Sequence, residues 1–179
     1  VAKLVSHLHE NPLFPNDPSV EAAVMQQLSP MGLSPRFDRV IALLDATCLL
    51  YDFVEGETWQ NNTPLVAELL GRIHAIDKAG VSKRAADGSR EMWCQTKAIL
   101  AKCSSQRVNL NALKPQIDVA PSGLRQFLHG DCVPGNLLVT ATGLMPIDWQ
   151  CPAMGDPCQD IAFFLSPAMQ LVYRGAPLA

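Results

Sequence analysis

Apolar residues recur at helical spacing early in the chain, directly after a polar residue followed by proline. Beyond Asp17 and Pro18, the apolar positions Val20, Val24 and Leu28 repeat every fourth residue and form a stripe along one helix face. An aspartate at the N-cap and a proline in the first turn are typical of a helix start. We therefore predict a helix that Asp17 caps and that continues to about Leu28.

Three further helices are predicted from the same pattern of caps and apolar faces. Thr63 and Pro64 open a helix with a wide apolar face that we expect to end near Ile76. Ser89 is the expected cap of a third helix, and Asp156 is the expected cap of a fourth. Their expected core residues are Met92, Trp93, Ile99 and Leu100 in the third helix and Ile161, Ala162, Phe164 and Leu165 in the fourth.

Shorter apolar runs between the helices are typical of β-strands. The predicted strands are residues 1–5, 39–44, 47–54, 137–140 and 144–147. The last two runs are separated by a tight turn and are expected to form a hairpin. The aperiodic residues 6–16 are expected to form a loop. Helices and hairpin-type strands in one chain predict an α+β fold.

The composition indicates a globular protein with a substantial core. The chain has 179 residues, of which 48% are hydrophobic, and 17 acidic side chains face 14 basic ones, for a net charge of −3. Such a balance offers no basic surface for nucleic acid or an anionic membrane. With no long apolar run and no signal peptide at its start, the chain is expected to be soluble and cytoplasmic. The oligomeric state cannot be predicted from these features.

Two carboxylates and an amide surround the predicted hairpin. Asn136 precedes its first strand and Asp148 follows its second, so the closed hairpin would bring the two side chains together. Mg²⁺ takes one or two protein oxygens and leaves its other positions to water and nucleotide phosphates, so this pair predicts a magnesium site. Asp131 is then left to face an acceptor hydroxyl. Each residue alone is a common turn former, and only the ordered set carries the prediction.

Three motifs in this region resemble those of one enzyme family. They are His-Gly-Asp-x4-Asn at 129–136, Ile-Asp-Trp at 147–149 and Gly-Asp-Pro-x2-Asp-Ile-Ala at 155–162. Together they resemble the aminoglycoside phosphotransferase and choline kinase-like family, the small-molecule branch of the protein-kinase-like fold. The resemblance implies that Asp131 is the catalytic base and that Asn136 and Asp148 bind Mg²⁺.

The same resemblance implies where the nucleotide would bind. Lys3, on the first predicted strand, matches the lysine that pairs the nucleotide phosphates, and Glu21 matches the helix glutamate that holds this lysine. The end of the strand at 47–54 matches the hinge between the lobes. The adenine is there expected to bond to backbone groups of Asp52, Phe53 and Val54.

Two other residues are implied to support the catalytic loop. His129 belongs to the loop motif, and Asp160 is expected to hold the loop from behind. Cys132 lies inside the loop, and a thiol nucleophile with His129 as its base is the alternative reading. We favour simple packing for Cys132, because the loop motif already requires His129. The six cysteines form no C-x-x-C pair, so neither a zinc site nor a disulfide framework is expected.

The resemblance implies a two-lobe architecture that the chain fills only in part. Residues 1–55 are expected to form a partial small lobe with the hinge, and residues 56–179 a large helical lobe with the catalytic hairpin. No Gly-rich loop precedes Lys3, and the C-terminal helices of the family are not present. We therefore expect an incomplete kinase-like fold.

The implied function is transfer of the γ-phosphoryl group of ATP or GTP to a hydroxyl of a small molecule, with Mg²⁺ as cofactor. The acceptor classes that the resemblance implies are aminoglycosides, choline-like amines and sugars. A nucleotide-binding module without catalytic activity is the main alternative. A metal-dependent hydrolase that uses Asp131 and Asp148 is a weaker one, since no histidine-rich ligand set accompanies them.

Overall fold

The computed structural model describes residues 1–6, 16–77, 80–102, 109, 112 and 114–178. The loop predicted at 6–16 lies outside these residues except at its two ends, and Cys103 also lies outside them. None of the described helices is both long and apolar enough to cross a membrane. The described elements combine helices with three small antiparallel sheets, as the α+β prediction requires.

The first sheet contains strands β1 (Ala2–Ser6), β3 (Ala46–Tyr51) and β2 (Phe37–Ala42) in that order, all antiparallel. Helix α1 (Pro18–Leu28) contacts β2 and β3. Asp17 caps α1 as predicted, because its carboxylate accepts the backbone N–H of Ser19 at 2.9 Å. Strand β3 ends at Tyr51, so the three residues that were predicted to continue it leave the sheet.

Helices α2 (Thr63–His74) and α3 (Gly88–Leu100) differ from the prediction at their starts. Asn62, in a left-handed conformation with φ 73°, is the N-cap of α2, so the prediction of Thr63 as its cap is wrong. Helix α3 starts one residue before Ser89. The Ser89 hydroxyl accepts the Val119 N–H at 3.0 Å, so it joins a neighbouring segment instead of capping the helix.

The apolar face predicted for α3 is not a core face. None of its side chains is buried, and Met92 is 47% exposed. Trp93, Ile99 and Leu100 are half-buried. The apolar spacing identified a helix correctly, but spacing alone does not say how much of the apolar stripe a neighbouring element covers.

The predicted hairpin is present as β6 (Leu137–Thr140) and β7 (Gly143–Pro146), with Leu137 opposite Pro146 and Thr140 opposite Gly143. A two-residue strand, β4 (Glu57–Thr58), extends this sheet along β6. Strands β5 (Gln126–Leu128) and β8 (Ala153–Gly155) pair separately and flank the hairpin in sequence. The segment between β5 and β6 is therefore held at both ends by sheet pairing.

The chain continues through α4 (Cys158–Leu165) and α5 (Pro167–Arg174), of which the sequence predicted only the first. Pro157 is the N-cap of α4, so the prediction of Asp156 as its cap is wrong by one residue, although the Asp156 carboxylate accepts the Cys158 N–H at 2.9 Å. Phe164 is buried in the core, whereas Ile161 and Leu165 are 42% and 50% exposed and do not belong to it. One face of α4 is thus buried and the other is not.

A single apolar cluster joins α1, α2, the hairpin and α4. Its largest buried members are Met25, Leu28, Leu33, Trp59, Ile73, Phe127, Leu137, Trp149 and Phe164. Trp149 also donates its indole N–H to the Leu33 carbonyl at 3.0 Å. The residue after Asp148 is therefore fixed by both packing and a buried hydrogen bond.

The cap of α1 gives a first testable prediction. Asp17→Ala should lower the free energy of unfolding by about 1 kcal/mol, because two amides at the helix start lose their acceptor. Asp17→Asn keeps a capping oxygen and should unfold close to the wild-type urea concentration. Equal losses in the two variants would show that the charge of Asp17 matters and the cap does not.

Candidate active site

The ammonium group of Lys3 bridges two carboxylates from different elements. Lys3 projects from β1 and lies 2.9 Å from both carboxylate oxygens of Glu21 on α1. The same Nζ atom donates to Asp148 Oδ1 at 2.5 Å. Glu21 is buried, while Lys3 and Asp148 are partly exposed. The structure therefore brings together three of the predicted site residues.

Burial and charge act against each other in this cluster. Burial alone would lower the pKa of Lys3, but the charge of Glu21 and the hydrogen bonds with Asp148 and Glu21 raise it above its ordinary value. Burial raises the pKa of Glu21, and the Lys3 ammonium opposes that change. The two 2.9 Å hydrogen bonds from Lys3 to Glu21 hold the two side chains together against the cost of their burial.

Asp131 and Asn136 are linked within the segment before β6, which we call the catalytic loop (residues 129–136). The Asn136 amide donates to the Asp131 backbone carbonyl at 2.9 Å and to its Oδ2 atom at 3.1 Å. Both amide protons are thereby used, and the Oδ1 atom of Asn136 remains as an acceptor. Burial raises the pKa of Asp131, although the Asn136 hydrogen bond favours its charged form.

Asn136 and Asp148 line the same cleft, as the hairpin geometry predicted. Asn136 accepts the Ile147 N–H at 2.9 Å through its backbone carbonyl, which closes the open end of the hairpin next to Asp148. Asp148 has a left-handed backbone with φ 63°, uncommon for a residue with a side chain. The cleft has a volume of about 380 Å³, and Lys3 and Tyr51 also line it.

The three predicted hinge residues, Asp52, Phe53 and Val54, line this cleft as well. The Asp52 side chain is not free for a ligand, because it accepts two hydrogen bonds from Arg36 at 2.8 and 3.1 Å. Within the described part of the chain, no hydrogen bond engages the Asp52 carbonyl or the Val54 N–H. The hinge therefore offers backbone groups, among them the Asp52 carbonyl as an acceptor and the Val54 N–H as a donor.

Asp160 holds the catalytic loop from a fully buried position. Its carboxylate accepts the backbone N–H groups of His129 and Gly130, each at 2.9 Å. It also contacts Nε2 of His74, at the end of α2, at 3.0 Å. The sequence analysis did not assign His74 to the site, and no local spacing could have done so, since 86 positions separate it from Asp160.

The ring of His129 is fixed in one neutral tautomer. Its Nε2 atom lies 3.0 Å from the Ile147 carbonyl and must donate to it, while Nδ1 accepts the Asp131 N–H at 3.3 Å. Burial lowers the pKa of His129, which keeps the ring uncharged. The ring also packs 4.4 Å from the Trp149 ring, measured between centroids. This histidine thus connects the catalytic loop to the residues on both sides of Asp148.

Cys132 is buried beside these residues, and burial raises its pKa well above the ordinary value of a thiol. A buried thiol that resists ionisation is a poor nucleophile. The packing role that we favoured for Cys132 agrees with this environment. Cys151, which follows Gln150 on the other side of Asp148, has its pKa raised to about 12 by burial.

A strand lysine paired with a helix glutamate, together with an Asp/Asn loop and a second aspartate that contacts the lysine, defines the protein-kinase-like class. Within this class, the chain belongs to the phosphotransferase enzyme family, whose sequence model matches residues 16–176. No curated protein sequence matches the chain.

Solved structures share this fold at low sequence identity. The choline kinase LicA from Streptococcus pneumoniae matches with a TM-score of 0.61 and 17% identity over 99% of this chain and 70% of that one. A choline/ethanolamine kinase family protein from Mesorhizobium loti matches with a TM-score of 0.58 and 16% identity, over 90% of this chain and 62% of that one. The macrolide 2'-phosphotransferase MphH from Brachybacterium faecium matches with a TM-score of 0.57 and 18% identity, over 90% of this chain and 62% of that one. The chain thus spans 62–70% of the length of these three proteins.

The catalytic loop needs a glycine at position 130. Gly130 has φ 78°, and a Cβ there would lie 1.9 Å from the Cys151 carbonyl oxygen. Gly130→Ala should therefore unfold at a clearly lower urea concentration than Gly32→Ala. Gly32 has φ 68° and open space around it, so its alanine variant should lose only the ~1–2 kcal/mol of a left-handed backbone. Equal losses would show that the Cys151 contact is easily relieved.

Proposed function

We propose that the chain carries the catalytic centre of a phosphotransferase that moves the γ-phosphoryl group of ATP or GTP to a hydroxyl of a small molecule. The observation that carries this proposal is the position of Lys3. Its ammonium contacts both Glu21 and Asp148 at the edge of a cleft that the hinge and Asn136 also line. Phosphoryl transfer depends on positioning and on charge stabilisation, and this cleft offers groups for both.

The nucleotide would bind with its base at the hinge and its phosphates near Lys3. The backbone carbonyl of Asp52 and the N–H of Val54 are the groups available to the edge of a purine, and Phe53 and Tyr51 border the same space. Lys3 would donate to phosphate oxygens while Glu21 holds its ammonium in place. Since the hinge offers only backbone groups, ATP and GTP are both kept as candidates.

The donor set beside the phosphates fits a hard divalent cation. Asn136 Oδ1 has no described donor, and Asp148 supplies a carboxylate on the same cleft, which are the oxygen ligands that Mg²⁺ prefers. A bound Mg²⁺ would neutralise charge on the transferred phosphoryl group. Asn136 keeps its orientation through its two hydrogen bonds with Asp131, so the chain presets one of the two ligands.

Asp131 would orient the acceptor hydroxyl and take its proton. Its backbone is held by the Asn136 amide and the His129 ring, and Asp160 fixes the two residues before it. Burial raises its pKa, which makes the carboxylate a better proton acceptor than a solvated aspartate. It must be ionised to act, so turnover should fall as the pH is lowered through this raised pKa.

The structural neighbours include a choline kinase, a choline/ethanolamine kinase family protein and a macrolide 2'-phosphotransferase. They support choline-like amines as one acceptor class for this chain, and aminoglycosides and sugars stay as the classes that the sequence motifs imply. The test is a panel of these hydroxyl compounds with radiolabelled nucleotide, alongside nucleotide affinity with and without Mg²⁺. Mg²⁺-dependent binding with no transfer to any acceptor would instead support a nucleotide-binding module without catalytic activity.

The proposed base gives a sharp prediction. Asp131→Asn should lose at least ~10²-fold in turnover, the usual scale for removal of a general base. Nucleotide affinity should stay close to wild type, because Asp131 is not among the cleft-lining residues. Asp38→Asn, an exposed aspartate on β2 that pairs only with Arg39 among the described residues, is the matched control. Similar turnover in the two variants would exclude Asp131 as the base.

The proposed metal ligand is tested separately. Asp148→Ala should weaken nucleotide binding in the presence of Mg²⁺ far more than in its absence. The substitution removes the carboxylate from the two proposed metal ligands and leaves only the Asn136 amide. Asp38→Ala should change neither value. Equal weakening with and without Mg²⁺ would show that Asp148 acts mainly through its contact with Lys3.

A further inference from the structure

The ring of Tyr173, on α5, lies directly against the catalytic loop at Gly135. A Cβ atom on Gly135 would lie 2.2 Å from Cε1 and 2.4 Å from Cδ1 of that ring. Gly135 is not among the glycines with positive φ, so its backbone is one that other residues adopt. The glycine is therefore required by the presence of the ring and not by the backbone conformation.

Gly135 is connected to the side chain of Asn136 through one short turn. Pro134, Gly135 and Asn136 form a 3-10 turn in which the Asn136 N–H donates to the Val133 carbonyl at 3.0 Å. The next peptide group enters β6, whose pairing fixes the chain from there on. A displacement of Gly135 therefore rotates Asn136 and moves its amide relative to Asp131.

Helix α5 is anchored firmly enough to hold the ring in place. Arg174 donates to the Gln60 carbonyl at 2.7 Å, and its guanidinium lies 5.3 Å from the centroid of the Trp59 ring. It also donates to the buried side chain of Gln170 at 3.0 Å. The backbone N–H of Trp59 in turn donates to the backbone carbonyl of Leu137, next to Asn136, at 2.9 Å. The helix is thus attached on one side to the strand that follows the catalytic loop.

We propose that Tyr173 is a positioning residue that sets the side-chain amide of Asn136 by packing on Gly135, an inference that rests on the metal-ligand role proposed for Asn136. The ring performs this role and the hydroxyl does not, because no hydrogen bond joins the hydroxyl to any described residue. Gly135 and Tyr173 therefore form one packing unit, in which a change in either residue affects the position of Asn136.

Four variants of the full chain test this unit: Gly135→Ala, Tyr173→Ala, Tyr173→Phe and the double variant Gly135→Ala with Tyr173→Ala. Gly135→Ala should weaken Mg²⁺-dependent nucleotide binding by about tenfold, the lower end of the effect of residues that orient a metal ligand. Tyr173→Phe keeps the ring and should match wild type. The double variant should bind better than Gly135→Ala alone, because the new methyl group occupies the space that the ring has left.

The NMR signals of the Asn136 side-chain amide, assigned with Asn136→Asp, report its position without reference to activity. They should shift in Gly135→Ala and Tyr173→Ala, stay in place in Tyr173→Phe, and return toward wild type in the double variant. The proposal would be overturned if the double variant lost as much Mg²⁺-dependent nucleotide binding as the two single variants together. It would also be overturned if the amide signals of Tyr173→Ala were unshifted although its unfolding temperature was lower. Wild-type binding that does not depend on Mg²⁺ would contradict the proposed function, while the amide signals would still decide the role of Tyr173.

Discussion

One ammonium group, on Lys3, satisfies two carboxylates that reach it from distant parts of the chain. Glu21 is buried under the small sheet, and a buried carboxylate without a partner is strongly unfavourable. The position of α1 against β2 and β3 is therefore coupled to the position of β1. Asp148 extends this constraint to the catalytic hairpin, so one cation fixes the geometry between the small sheet and the loop that follows the hairpin.

The catalytic loop is organised differently, through an acceptor instead of a donor. Asp160 offers oxygens to two successive backbone N–H groups, and the neutral His129 ring passes the constraint on to Ile147 and Asp131. The Lys3 ammonium thus positions the groups around the cleft, whereas the Asp160 carboxylate and the His129 ring position the backbone that carries Asp131.

Features encoded by local spacing could be predicted from the sequence, and features that need distant contacts could not. The cap at Asp17 and the hairpin with Asn136 and Asp148 at its ends follow from short motifs, and the structure has both. The contact between His74 and Asp160 and the buried hydrogen bond from Trp149 to Leu33 join residues 86 and 116 positions apart. The exposure of α3 belongs to the same class, because a periodic pattern does not reveal which neighbour covers it.

The loop sequence His-Gly-Asp-Cys-Val-Pro-Gly-Asn contains two glycines that are required for different physical reasons. Gly130 has a left-handed backbone and lies against the Cys151 carbonyl, so it brings the loop close to the segment after Asp148. Gly135 has an ordinary backbone and makes room for an aromatic ring from α5. Gly130 allows two backbone segments to approach each other, and Gly135 allows a side chain to approach the backbone. Asp131 and Asn136 lie directly beside these two contacts, so the spacing of the motif is set by packing as well as by chemistry.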